Sequence, residues 1–106
     1  MKAERIKLAL AQVLPGADIE GLFAQAAVES ADVIVFPEMF SNGYSRYDTT
    51  PSGRSEWIDS AEPVDGAFVE EFRRAALRYR IAVVVTLLER GADKPFNTAL
   101  LIDREG

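Results

Sequence analysis

Four runs of apolar residues along the chain have the short length and β-branched composition that are typical of strands. They cover residues 5–13, 32–36, 81–89 and 96–103. In the first run apolar side chains fall on both faces, and the second, DVIVF, has no polar alternation. This pattern predicts parallel strands covered on both sides, with residues 32–36 at the centre of the sheet. A short turn at Gly91 separates the last two runs, which predicts adjacent antiparallel strands.

Two segments between these runs have the period of about 3.6 residues that marks helices packed on a sheet. In residues 18–30 apolar side chains recur at intervals of three and four, and Asp18 is suited to cap the first turn. Residues 63–80 show the same period, with Glu70 four residues before Arg74 on the polar face. The order strand, helix, strand, helix, strand, strand predicts an α/β protein with right-handed crossovers.

Residues 39–62 carry glycine, proline, serine and threonine without a sustained period. They are predicted to form a long loop, which in a compact domain is usually functional or disordered. Two helices are few for covering both faces of a sheet, so one apolar face is expected to be partly open. Such a face calls for a partner or for further chain, and the final residues DREG resemble a turn that leads to another strand.

Composition limits the function. The chain has 106 residues, of which 48% are hydrophobic and 27% charged, as expected for one globular domain. Its net charge is −5, and the 12 basic residues are dispersed among 17 acidic ones, so nucleic acid is not an expected partner. No apolar run approaches the ~20 residues of a membrane span, and the N-terminus lacks a secretion signal. We therefore expect a cytoplasmic protein without a membrane partner.

The chain contains neither cysteine nor histidine. Disulfides, Cys/His metal sites, a Ser-His pair and a thiol nucleophile are therefore all excluded within these residues. Several carboxylates in and after the predicted loop show no metal-ligand spacing and are interpreted as solvated charge. They are Asp48, Glu56, Asp59, Glu62 and Asp65. The stretch LPGAD after the first strand lacks the Lys and Ser/Thr of a phosphate loop, so we expect neither a metal nor a nucleotide cofactor.

Glu38 is the best candidate for chemistry. It follows Pro37 at the end of the run 32–36, and ligands of open α/β sheets bind outside the carboxyl ends of the strands. A carboxylate at this place can serve as a general base. The simpler interpretation is an exposed loop glutamate, and position alone does not decide between the two.

The segment ADVIVFPEMFSNGY, residues 31–44, resembles the glutamate motif of the nitrilase, or carbon-nitrogen hydrolase, superfamily. Its flanks resemble the same family in the same order. KLALAQV at 7–13 is similar to the first strand, residues 61–90 to the helix and strand after the motif, and FNTALLIDREG at 96–106 to the strand before the catalytic lysine. The resemblance spans essentially all 106 residues.

The resemblance implies a fold. Residues 1–106 would form a single partial domain, the N-terminal part of a four-layer α-β-β-α sandwich, and would supply one outer helical layer and strands of both sheets. It also implies a mechanism with a Glu base, a Lys that stabilises the tetrahedral intermediate and a Cys nucleophile. Glu38 matches the Glu, whereas Lys and Cys would lie beyond Gly106, and Lys2, Lys7 and Lys94 match nothing in the pattern.

The resemblance further implies a substrate and an assembly. The substrate would be a small amide, carbamoyl compound or nitrile, hydrolysed without metal or organic cofactor, and the motif favours an amidase slightly over a nitrilase. Phe40 and Tyr44 would help to wall the pocket. The full-length form is expected to be a homo-oligomer, and the 106-residue chain alone is expected to be inactive because it lacks the nucleophile.

Two alternatives remain open from the sequence. The first is a non-catalytic, truncated module with a nitrilase-like fold that binds a partner through its open face. The second is a generic doubly wound domain unrelated to nitrilases, which would leave Glu38 exposed and the Gly43-Tyr44 turn without a purpose. The coding sequence beyond Gly106 distinguishes the enzyme from the module, since a Lys followed by a Cys favours the enzyme.

Overall fold

A computed structural model describes residues 4–43 and 49–106 of the chain. In this part the elements are β1 (Leu8–Leu10), α1 (Ile19–Val28), β2 (Val33–Val35), α2 (Pro51–Asp59), α3 (Ala67–Tyr79), β3 (Ala82–Glu89) and β4 (Phe96–Ile102). All six predicted elements are present in the predicted order. β1 is shorter than the predicted run, and α2 was not predicted.

The four described strands form one sheet in the order β1-β2-β3-β4. β1, β2 and β3 are parallel because helices connect them, whereas the short loop after β3 makes β4 antiparallel to it. The adjacency of β3 and β4 and the central place of β2 are thus confirmed. The expectation that the chain supplies strands of two sheets is wrong for the described residues, since all these strands pair with one another.

Helix α2 corrects the prediction of a loop over residues 39–62. The Oγ1 of Thr50 accepts a hydrogen bond from the Gly53 N–H at 3.1 Å, and Pro51 occupies the first helical turn. Both residues are favourable at a helix start. The helix has no buried residue, so it lacks the apolar stripe from which a helix is recognised in sequence.

Helices α1 and α3 cover one face of the sheet through an aromatic core. Phe23 and Phe72 are fully buried, and the Phe72 ring meets the Phe36 ring edge-on at 5.0 Å between centroids. Aromatic pairs in this arrangement stabilise a core beyond the area that they bury. The strands contribute Ile34 and Val83 to the same core, and these two residues are direct partners in the sheet register.

The opposite face of the sheet is largely uncovered at its centre. Leu10, Val35, Val84 and Leu101 lie side by side across the four strands on this face. Leu10 and Leu101 are each 72% exposed, and the two valines are half-buried. The predicted open face is therefore confirmed, whereas the prediction that β2 is buried on both faces is wrong: Ile34 is buried and its neighbours are not, because only the helical side is covered.

A polar contact on the surface ties α1 to α3. The Tyr79 hydroxyl donates a hydrogen bond to Oε2 of Glu20 at 2.8 Å, and the Arg78 guanidinium lies 3.6 Å from Oε1 of the same carboxylate. The hydrogen bond to Glu20 raises the pKa of Tyr79 above its ordinary value of 10.0, because ionisation would remove the donated proton beside a negative charge.

Removal of the Glu20 charge is expected to lower the pKa of Tyr79. Because the pKa of Tyr79 is higher in the folded than in the unfolded chain, the neutral phenol stabilises the native state. This stabilisation is complete below pH 10.0 and is lost as the pH rises through the pKa of the folded state. Ultraviolet absorbance titration of the Glu20→Gln variant measures the change in the pKa of Tyr79. The Tyr79→Phe variant identifies the part of the absorbance that comes from Tyr79. Glu56→Gln, on α2 and with no part in this contact, should leave the titration unchanged, and an unaltered curve for Glu20→Gln would contradict the assignment.

Candidate active site

Glu38 stands at the carboxyl end of the central strand, as predicted. β2 ends at Val35, and the chain passes through Phe36 and Pro37 to Glu38. The Glu38 side chain is exposed, and no hydrogen bond or ion pair joins its carboxylate to any residue of the described ranges. Its oxygens are therefore available to a ligand or to another protein group.

The backbone after Glu38 folds into a compact turn. The Met39 carbonyl accepts hydrogen bonds from the N–H groups of Asn42 at 3.3 Å and Gly43 at 2.8 Å. Met39 itself has a φ of 54°, a left-handed conformation that costs an L-residue roughly 1–2 kcal/mol. Its buried side chain packs with Ala61 and Leu88, and this packing helps to hold the strained residue in place.

Two hydroxyl groups attach this turn to β3. The Thr86 hydroxyl donates to the Pro37 carbonyl and accepts the Phe40 N–H at 3.0 Å. The Ser41 Oγ accepts the Leu88 N–H at 2.9 Å. The segment that carries Glu38 is thereby fixed to the neighbouring strand on both sides of the glutamate.

Gly43 closes the turn against the loop after β1. Its φ is 72°, and a Cβ added to it would lie 2.9 Å from Cγ of Pro15, closer than carbon atoms approach without a shift. Glycine is therefore required here for both conformation and space. The contact brings the loops after β1 and β2 together at the same end of the sheet.

The structure places Phe40 on the helical side of the sheet. Only 3% of the residue is exposed, and its ring lies 4.9 Å from the Phe36 ring and 6.2 Å from the Phe72 ring between centroids. It lines a cavity of about 330 Å³ between the two helices, and Glu38 is not in that lining. The structure thus does not bring Phe40 and Glu38 to one cavity, and Tyr44 lies outside the described residues.

Two other cavities bear on the location of the site. One cavity of about 480 Å³ is lined by Gln12, Val13, Leu14 and Pro37. It lies at the same end of the sheet as Glu38, which directly follows Pro37 in the chain. A cavity of about 590 Å³ lies at the opposite end, beside Asp32 and Ala82 where β2 and β3 begin. Since ligands of α/β sheets bind at the carboxyl ends of the strands, the Glu38 end is the better candidate.

Thr86 and Ser41 were missed in the sequence. A signal for Thr86 was present, because it is the one hydroxyl residue in the apolar run 81–88. A hydroxyl in a buried strand needs hydrogen-bond partners, which indicates a polar contact from another segment. The identity of that segment could not be read from the run itself.

Metal and membrane features can be tested against the described residues. Within residues 4–43 and 49–106, no three or more Asp and Glu side chains cluster closely enough to hold a metal ion. Asp48 falls outside these ranges. No described helix combines the length and the apolar character that crossing a membrane requires.

The structure defines a mixed α/β domain with a carboxylate, Glu38, just beyond the carboxyl end of its central strand β2. Residues 7–106 match the family model described as carbon-nitrogen hydrolase. The chain belongs to the carbon-nitrogen hydrolase family.

Two curated relatives are similar over most of the chain. A bifunctional nitrilase/nitrile hydratase, NIT4B, from Nicotiana tabacum is 33% identical over 98 residues, which cover 82% of this chain and 28% of the relative. An aliphatic nitrilase from Sinorhizobium fredii (strain HH103) is 31% identical over 96 residues, covering 80% of this chain and 31% of the relative. The chain therefore spans about three-tenths of the length of these relatives.

Solved structures agree on the fold. The NitFhit protein of C. elegans superposes with a TM-score of 0.70 at 21% identity, covering 92% of this chain and 25% of that one. An amidase from Nesterenkonia sp. gives a TM-score of 0.65 at 22% identity, covering 99% of this chain and 41% of that one. The predicted fold, the N-terminal part of a nitrilase-like α-β-β-α sandwich, is confirmed. The described residues supply one helical layer and one sheet of it.

The Gly43 contact predicts a specific loss of stability. Gly43→Ala should raise the free energy of the native state by the roughly 1–2 kcal/mol of a left-handed residue, and further because of the collision with Pro15. Gly16→Ala is the matched control, since Gly16 has a φ of 87° and no atom within 4 Å of its added Cβ. Urea unfolding of both variants measures the difference, and equal losses would show that the Pro15 contact does not constrain the turn.

Proposed function

We propose that this chain supplies the general base of a carbon-nitrogen hydrolase that cleaves a non-peptide amide, carbamoyl or nitrile bond, and that Glu38 is that base. The observation that carries the proposal is the difference in solvent exposure between Glu38 and the other residues of the turn at 37–41. Met39 and Phe40 are buried, and Pro37 and Ser41 are half-buried, whereas Glu38 is exposed. A rigid turn thus presents one carboxylate at the end of the sheet where ligands bind.

The role of Glu38 follows from the mechanism that the family resemblance implies. Glu38 would take the proton of a cysteine thiol, whose sulfur then bonds to the substrate carbon as the carbon-nitrogen bond of an amide breaks. The proton would pass from Glu38 to the leaving amine. Glu38 would next take a proton from water, whose oxygen displaces the thiolate and releases the acid, and the proton would return from Glu38 to the sulfur.

The nucleophile and the lysine must come from outside residues 1–106. The chain has no cysteine, and its serine and threonine residues have no histidine to activate them. We therefore infer that the 106-residue chain alone is inactive. Phe40 would support the turn from the core, and Tyr44 stays a candidate for the pocket wall.

The substrate class includes both nitriles and amides. The two curated relatives described above are named as nitrilases, whereas the sequence motif favours an amidase. The proposal therefore covers both bond types, and a substrate panel must contain both. A cytoplasmic location and a homo-oligomeric full-length form also stay predictions.

Substitution of Glu38 by glutamine should abolish general-base catalysis. The protein is expressed at the length that its gene encodes, and release of ammonia or amine is measured on short amides, N-carbamoyl amines and nitriles. Glu38→Gln is expected to lower kcat by roughly 10²–10⁴-fold. Glu56→Gln, an exposed residue on α2, is the matched control and should keep the wild-type rate.

Two results would contradict this proposal. The first is a Glu38→Gln variant that retains wild-type turnover. The second is hydrolysis by the rigorously purified 106-residue chain, which would require a nucleophile other than cysteine.

A second candidate function is a non-catalytic module that binds a partner through the open sheet face. The exposure of Leu8, Leu10 and Leu101, at 53%, 72% and 72%, favours it, because contiguous apolar surface marks interaction sites. A gene that ends at codon 106 would support this function, and one that continues with the Lys and Cys would support the enzyme.

The open face predicts self-association of the 106-residue chain. Leu10→Ser with Leu101→Ser should raise the dissociation constant by on the order of a hundredfold or more, because each buried leucine contributes about 1.5–3 kcal/mol. Sedimentation velocity over a concentration series measures the change. Val28→Ser with Leu77→Ser, two exposed apolar residues on the helices, is the control pair, and an equal effect of both pairs would exclude a specific role of the sheet face.

A further inference from the structure

Thr86 is a polar residue in an apolar environment. It is 7% exposed and lies among the buried valines and leucines of β3. A hydroxyl in such a place destabilises a core unless its hydrogen-bonding capacity is used. Here it is used twice, since the group donates to the Pro37 carbonyl and accepts the Phe40 N–H.

These two contacts lie on either side of Glu38. The Pro37 carbonyl belongs to the same planar peptide group as the Glu38 N–H. The hydrogen bond from Thr86 therefore fixes the orientation of the peptide plane that is bonded to the Glu38 Cα. The Phe40 N–H fixes the chain two residues later. One hydroxyl therefore sets both the entry and the exit of the dipeptide Glu38-Met39.

The other contacts of the turn hold different groups. Ser41 bonds to β3 through its Oγ, Phe40 is held through its ring, and Met39 through its side chain. None of them holds the peptide group that carries the Glu38 nitrogen. Met39 has a left-handed φ, so a turn without the Thr86 contacts can relax toward a less strained path and redirect the Glu38 side chain.

We propose that Thr86 is a positioning residue for Glu38: its hydroxyl orients the carboxylate by holding the two backbone groups that flank it. This inference rests on the proposed function of Glu38 as general base. Thr86 itself touches no reacting atom. Its effect on catalysis passes through Glu38 alone, and this distinguishes it from a residue that only stabilises the core.

The test is a double-mutant cycle in the protein at its encoded length. Thr86→Val keeps the shape of the side chain and removes both hydrogen bonds, whereas Thr86→Ser keeps the hydroxyl. Thr86→Val is expected to lower kcat by roughly 10–100-fold with KM changed less than about twofold, as for a catalytic group displaced by a fraction of an ångström to 1 Å. Thr86→Ser should restore most of the rate.

The cycle separates positioning from stability. In the Glu38→Gln background, Thr86→Val should change the residual rate by less than about twofold, because the group that it orients is already absent. Val83→Ala removes buried volume from β3 at a position paired with Ile34 and Ile102, away from the turn. It should lower the unfolding midpoint without the loss of kcat.

Hydrogen exchange of the Phe40 amide gives a second readout, and it should be faster in Thr86→Val than in Val83→Ala. If Thr86→Val does not fold, Thr86→Ala replaces it, since alanine also lacks the hydroxyl. The inference is overturned if removal of the hydroxyl leaves kcat unchanged, or if it lowers the rate equally with and without Glu38. Failure of the proposed function is a different result, in which Glu38→Gln itself keeps the wild-type rate.

Discussion

The burial of one face of the sheet under α1 and α3 is the interaction on which the rest of the structure depends. Phe36, at the end of β2, packs edge-on against Phe72 of α3 and stacks near Phe23 of α1. Both helices are thereby held against the central strand. Since each helix is also the crossover between parallel strands, this packing aligns the carboxyl ends of β1, β2 and β3 at one end of the sheet. Glu38 is at that end because it follows Phe36 by two residues.

Buried and exposed polar groups have different tasks at this end of the sheet. The hydroxyl groups of Thr86 and Ser41 form hydrogen bonds with backbone groups, and these bonds join the turn to β3. The Glu38 carboxylate makes no such contact with the described residues and stays open to solvent. A rigid turn with one free carboxylate is a suitable base for proton transfer. In the proposed enzyme, the groups that face this carboxylate come from segments beyond the 106 residues, because the chain spans 28% of its tobacco relative and lacks cysteine.

The open sheet face follows from the placement of the helices on one side of the sheet. Helices α1 and α3 cover one face of the sheet, and Leu10 and Leu101 are largely exposed on the opposite face. The superposed C. elegans NitFhit chain is about four times as long as the matched part, since that part is 25% of it. A sandwich fold needs a second layer against an apolar sheet. In the proposed enzyme, the layer that covers this face and the residues that complete the mechanism are not among these 106 residues; in the alternative, a binding partner covers the face.

The sequence by itself determined the α/β class, the order of the strands and helices packed on them, and the place of Glu38 at a strand end, because apolar periodicity reports directly on burial. It did not reveal α2, since a helix with no buried residue has no apolar stripe. It also did not show that β2 is covered on one side only, or that Phe40 turns into the helical core. Only the tertiary structure decided these points and the pairing of Thr86 with Pro37 and Phe40. Those contacts join residues 46 and 49 positions apart, and the periodicity of a single strand carries no information about which distant segment will pack against it.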